Sequence, residues 1–452
     1  MSPKKLLLLT AIVAALFAFI VLFERKMPTT SEQQRKGDLY WDLPQERVTR
    51  LTLSRGDEVL EFDRAEGGPW HMAKPAAYPA DALAVNGVVT ELAELKRSGG
   101  DTADAKLSDY GLEKPTTRAT LVWTEADAPK TPKTRTLDLG LEVPGTDIAS
   151  ARVEGEDKVL FIPSTVLTSV RKPVDDFRSK EVFGGSSSDV TRLEVLRGRG
   201  KLVLSRKEGA WWLSEPLADL ADSTEADRLV NQLTSLRVGE FVHGSDDLGA
   251  LSLSPPLYRV TVTGEKGAAT SVDFGATRSD GNSIYALRDG QVLTVDREIV
   301  DELSKEAEPF RSSLLVAFDR GEATAVEGRF GETRRALAHE KDGWVSAGHA
   351  VLAPTVDDLL SALLALKSKA FLDAAEASRL EKPLAEVTIR RKDGPTWTLS
   401  FSPHAGAIAA KVSGRPGAFE LDRDAVDKLS TAFEKAVAPP PTPIPTGVAK
   451  KK

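Results

Sequence analysis

The sequence predicts an α+β fold: an N-terminal transmembrane helix followed by three tandem repeats, each of antiparallel strands with two helices. Three observations carry this. A hairpin signal ending in tryptophan occurs three times, as "AEGGPWHM" from Ala65, "KEGAWWLS" from Lys207 and "KDGWVS" from Lys341. A stretch with leucine and valine at helical spacing follows each hairpin. An apolar run from Leu6 to Phe23 opens the chain behind Lys4 and Lys5.

The apolar run comes first. About 18 apolar residues suffice to cross a hydrocarbon core of about 30 Å, and a cleaved signal peptide usually has a shorter apolar region before a small-residue site. The run continues into Ile20, Val21, Leu22 and Phe23, which favours an uncleaved anchor. Lys4 and Lys5 then predict a cytoplasmic N-terminus, with the rest of the chain outside a bacterial cytoplasmic membrane, in the periplasm. The helical stretch Asp357 to Leu372 carries charges and reads as a soluble helix.

In each hairpin an acid–glycine pair supplies the positive-φ turn, and tryptophan opens the returning strand. Alternating stretches precede them: "VTRLTLSR" from Val48, "VTRLEVLR" from Val190 and a weaker "ATAVEGRF" from Ala323. The helices that follow place Val85, Val88, Leu92 and Leu95 on one stripe, then Leu229, Leu233 and Leu236, then Leu359, Leu363 and Leu366. Ser223 or Thr224, and Thr355, are the expected N-caps. Before the next strand stands "DYGLEKP" (Asp109 to Pro115), matched by "LSLSPP" and, from Ser378, "SRLEKP". Proline sets where a strand begins, and glycine takes a left-handed turn. This is punctuation, because the middle copy keeps neither Glu113 nor Lys114. Each repeat closes with strands and a short helix, with Ser164, Asp296 and Asp422 in the N-cap slots.

The expected organisation is a cytoplasmic stub and anchor over 1–26, a linker over 27–47, repeats over 48–184, 185–320 and a degenerate 321–437, and a proline-rich disordered tail over 438–452. Domains of this size can each bury a core.

Composition narrows the function. With 452 residues, 41% hydrophobic and 28% charged, the chain is globular. A net charge of −7 argues against nucleic acid as a partner. Absence of cysteine removes disulfides, thiolate metal sites and cysteine nucleophiles.

The catalytic candidates are poor. His71, His243, His339, His349 and His404 show no metal-ligand spacing. "GRGK" (Gly198 to Lys201) lacks the phosphate-loop spacing. "GSDDLG" from Gly244 and "RSDGNS" from Arg278 lack the closing glutamate of a calcium loop. Asp175-Asp176 and Asp357-Asp358 are ordinary surface or helix charges. The expectation is a protein that is not an enzyme, with no catalytic, metal or cofactor residues and no cofactor.

The order of strand, hairpin and tryptophan, then "SDYGLEKP", "LDLG" and "ARVEGEDKVLFIP", resembles the bacterial family known as domain of unknown function 4340. The resemblance implies a membrane-anchored extracytoplasmic protein associated with ABC-type or gliding-motility export systems, its partners being the membrane and an ABC-type permease or another envelope protein. The function it implies is that of a non-enzymatic accessory or scaffold. The alternative is a free-standing envelope module that binds glycan, lipid or protein.

Overall fold

The computed structural model describes residues 38–439, apart from 103–105, 208, 245–246 and 395. The chain divides into two compact units, one ending at Lys180 and one beginning at Glu181. The first holds one sheet-based repeat and the second holds two.

In the first unit the strand Val48–Arg55 lies mid-sheet, hydrogen-bonded to Glu58–Asp63 on one side and Thr117–Glu125 on the other. The chain runs outward through two further strands to Tyr78–Pro79. Helix α1 (Ala82–Ala93) then carries it across the sheet to the opposite side. There Ser98 and Thr102 bond to the edge strand Leu160–Pro163 and its approach, Ser98 N donating to Phe161 O at 2.8 Å. The remaining strands return in order through Ala128–Glu142 and Ile148–Val153, and the short helix α2 (Ser164–Val170) ends the repeat. Alternation decides which face is buried: Leu51, Leu53, Leu60 and Phe62 join Val85, Val88 and Leu92 of α1 in one core, all at most 3% exposed.

The second unit repeats this path twice, as nine-stranded antiparallel sheets. Val190–Arg197 and Ala323–Phe330 are the central strands. Helices α3 (Ser223–Ser235) and α5 (Ala353–Leu364) make the crossings, and Glu240–Phe241 and Ala370–Leu372 take the far edges. The closing helices are α4 (Ile299–Leu303) and the much longer α7 (Ala425–Val437), with a short α6 (Ala374–Ser378) between α5 and α7.

The unequal closing helices meet different residues of the opening strand. The opening strand ends in Arg55, Arg197 and Phe330 respectively. Arg55 donates to Lys172 O and Arg197 to Lys305 O, so each guanidinium caps carbonyls just past a short helix. Phe330 instead packs edge-on against Phe433 at 5.5 Å, and α7 continues to 13 residues.

"DYGLEKP" is structural punctuation. Gly111 sits at φ 67° after a 3₁₀ turn, and Leu112 is fully buried. In the second repeat Ser252 adopts the same left-handed conformation at φ 54°, before the buried Leu253. The loop lies directly on the "LDLG" strand: a Cβ on Gly140 would stand 2.2 Å from Tyr110 O, and one on Gly275 2.2 Å from Leu251 O. In the third repeat this strand position is Ser402, whose hydroxyl donates to Glu381 O at 2.9 Å. Gly111→Val is expected to destabilise the first unit by about 1–3 kcal/mol, the cost of a branched side chain at positive φ. The new Cβ would also meet Leu141 Cγ at 2.9 Å. Glu113→Gln and Lys114→Met, both exposed, should stay within about 0.5 kcal/mol of the parent. Denaturant melts of the three variants check this, and an equal loss from Glu113→Gln would refute the punctuation role.

The structure corrects several expectations. The fold is mostly β, with 45% of the described residues in strands and 22% helical, in four antiparallel sheets. It is not the α+β design predicted, because each repeat commits eight or nine strands to one sheet while its helices stay short. Nor do the described residues contain a membrane anchor. Among the described residues no helix is long and apolar enough to cross a membrane. The longest, α3 and α7, have 13 residues, or roughly 20 Å at 1.5 Å per residue. The run Leu6–Phe23 lies outside the described residues, as does most of the tail. The single-pass cytoplasmic-membrane placement, the membrane as a partner and the permease contact tied to it are therefore withdrawn. Helix starts also shift by a residue or more. Asp81 and Asp222 are the side-chain caps of α1 and α3, ahead of Ser223 and Thr224. α5 begins before Thr355, and Ser164 is the first residue of α2.

Candidate functional site

The residues singled out in the sequence do not converge. His71 is exposed on the strand His71–Lys74. His339 stands edge-on to Trp344 at 5.1 Å, and His349 Nε2 lies 3.1 Å from Val437 O. His404 ends the strand Trp397–His404, and His243 follows Glu240–Phe241. Among the described residues no group of three or more His, Asp or Glu side chains could hold a metal ion. "GRGK" forms the turn between Val190–Arg197 and Gly200–Lys207. Asp280 of "RSDGNS" accepts from Ser283 Oγ at 2.7 Å and from two backbone amides, bonds that hold its carboxyl below the usual range. Asp247 of "GSDDLG" accepts from Ala250 N at 3.0 Å. Asp175 pairs with Arg178 at 2.9 Å.

Polar chemistry gathers in three other places. The first is the tryptophan of each hairpin. Trp70 Nε1 donates to Asn86 Oδ1 at 2.8 Å with Arg64 stacked 4.4 Å from the ring. Trp211 Nε1 donates to Asp227 Oδ1 at 2.7 Å under Arg206. His339 takes the arginine's place over Trp344 in the third repeat.

The second is a buried ionic cluster joining the two repeats of the second unit. Asp219 is fully buried and accepts from Arg415 Nε at 2.5 Å and from Arg311 Nε at 2.7 Å. Arg415 also donates to Leu314, Leu315 and Ser312 carbonyls. Burial pushes its guanidinium below the usual arginine range, and the Asp219 carboxylate opposes that push. Arg311 stacks over Phe371 and Arg415 over Phe419, while Trp212 of one repeat lies parallel to Trp397 of the next at 6.0 Å. Nothing in the local sequence marks these residues, because Asp219 and Arg415 are 196 positions apart.

The third is the sheet face turned away from the helices. In the first repeat Asp138 is held by Arg118 and Arg152, each at 2.9 Å. In the second Asp273 is held by Arg259 at 2.6 Å, and Glu194 by Arg192 and Lys201. The third repeat has Ser400 where the others have Asp138 and Asp273. Its outer face instead contains a groove of about 330 Å³ lined by Glu327, Arg329, Arg334, Ala336, Glu386 and Thr388, with the backbone at Gly328 and Arg335 as its floor.

These features define a β-sheet repeat protein whose repeated polar residues serve packing and whose outer faces are charged. A family described as "Domain of unknown function (DUF4340)" matches residues 70–256 and 245–383, and the chain belongs to it. No curated protein matches the chain. Among solved structures it is similar to a DNA polymerase sliding clamp from Pseudomonas aeruginosa, at 8% identity and a TM-score of 0.15, over 86% of this chain and 95% of that one. It is also similar to a DNA polymerase III beta subunit from Eubacterium rectale, at 10% identity and a TM-score of 0.17, over 84% and 92%. Scores this low support no inference.

Proposed function

We propose that this chain is a non-enzymatic scaffold that presents the outer faces of its sheets to a protein partner. The observation that supports it is the Arg311–Asp219–Arg415 cluster. Burying ionised groups is a poor route to stability but can select one relative arrangement of the parts it joins. Here it sets the spacing of two repeated faces. The finer reading, an accessory of an ABC-type export system, rests on the family resemblance alone.

Site-specific photocrosslinking in the native cell tests the reading. Probes at Thr261 and Thr388, on outer faces, should give a stoichiometric adduct with one protein. A probe at Gln232, on the exposed side of α3, should not. Absence of any protein adduct, with retention of the purified chain on glycan or lipid, would replace the scaffold by a free-standing binding module.

A further inference from the structure

The groove on the third repeat places two arginines directly opposite each other. Arg329 pairs in register with Arg334 on the next strand and with Glu386 on the strand beyond. The row beside it reads Ala336, Glu327 and Thr388. Like charges directly opposite on neighbouring strands are destabilising unless something neutralises them. The corresponding cross-strand pairs in the other repeats are Ser54 with Val59 and Leu196 with Lys201, so neither has this conflict.

The nearby carboxylates do not resolve it. Glu327 is engaged by Arg390 at 2.8 Å. Glu386 meets Arg329 only at 3.6 Å, a distance too long for a strong charge-assisted hydrogen bond. Arg334 is exposed and makes no ion pair among the described residues. Both guanidiniums line one open volume, with less than one carboxylate's worth of contact between them, Arg329 otherwise donating to Gly331 O at 3.4 Å.

We propose that this groove binds a phosphate group, bridged between Arg329 and Arg334. A guanidinium presents a planar fork of donors that matches two oxygens at once. One carboxylate saturates a single fork, whereas a tetrahedral phosphate has oxygens enough for both. Thr388 lines the same groove and can donate a hydroxyl hydrogen bond. The proposal rests on the reading of the outer faces as binding surfaces and names the ligand chemistry of one of them.

The test is calorimetric titration of the full-length chain with inorganic phosphate at pH 8 and low ionic strength, where the dianion dominates and screening is weak. Saturable one-site binding is expected. Arg334→Gln and Arg329→Gln should each weaken it about tenfold, the loss of one charge-assisted contact. Lys201→Gln, at the matching strand position of the second repeat, should leave it unchanged. A simple phosphomonoester titrated in parallel distinguishes a free anion from a phosphate carried on a larger ligand, and binding of either supports the site. Amide shifts of Gly328 and Ala336 on titration provide a second readout in each folded variant. No saturable binding, equal weakening by Lys201→Gln, or tighter binding of citrate than of phosphate would overturn the assignment. A failed titration leaves the photocrosslinking result standing, so the two readings fail separately.

Discussion

Asp219→Asn should destabilise the second unit by about 3–5 kcal/mol, the usual cost of removing one partner from a buried ion pair. The substitution preserves shape but leaves two guanidiniums, Arg311 and Arg415, facing a neutral amide. Arg415 has a fully buried side chain, so water cannot compensate. Denaturant unfolding followed by tryptophan fluorescence measures the effect, with Trp212 and Trp397 stacked across the same boundary as local reporters. Two outcomes discriminate further. If the cluster sets the arrangement of the repeats, the transition should split, with the Trp212–Trp397 signal lost before the sheets unfold. Replacing all three residues by apolar ones of similar size should cost far less than the single change. A single change within about 0.5 kcal/mol of the parent would show that the cluster is solvated and sets nothing.

Trp70→Ala should cost the first unit about 3–5 kcal/mol, the range for deleting a large aromatic from a packed core. Trp70 is 2% exposed and packs between the sheet and α1. The indole also gives Arg64 a flat surface to stack on. Asn86→Ala separates packing from hydrogen bonding, since it keeps the ring and strands only its N–H, at about 1–3 kcal/mol. Urea melts of both variants decide between the roles. Equal losses would mean that the Trp70–Asn86 bond, and not ring burial, holds the hairpin to the helix.

Much of this architecture is legible in the sequence. The hairpins, the acid–glycine turns and the buried stripes of α1, α3 and α5 depend on residues within a few positions of each other. Periodicity reports such contacts directly. The glycine turns hold as read, at φ 71° for Gly67 and 78° for Gly209. The predominance of strand is not legible because helical stripes are conspicuous, while two- to four-residue edge strands such as Tyr78–Pro79 or His349–Ala350 carry too few residues to show alternation. The caps moved because Ser and Thr compete with a preceding Asp for the same role, and only the backbone geometry decides which side chain reaches the free amides.

The candidate site was not readable at all. Arg329 and Arg334 lie close in sequence, but their opposition depends on hairpin register, and a slip of one residue would turn Arg334 to the helix side. The Asp219 cluster depends on two repeats meeting, which no local pattern encodes. By itself the sequence determined the repeat, its turns and its core faces, since those are enforced by short-range sterics and by which side chains leave water. Only the tertiary structure decided which charges are buried and paired and which stand opposed on an open face. Electrostatic pairing is set by distances through space, and residues 196 positions apart come to 2.5 Å only once both sheets have folded.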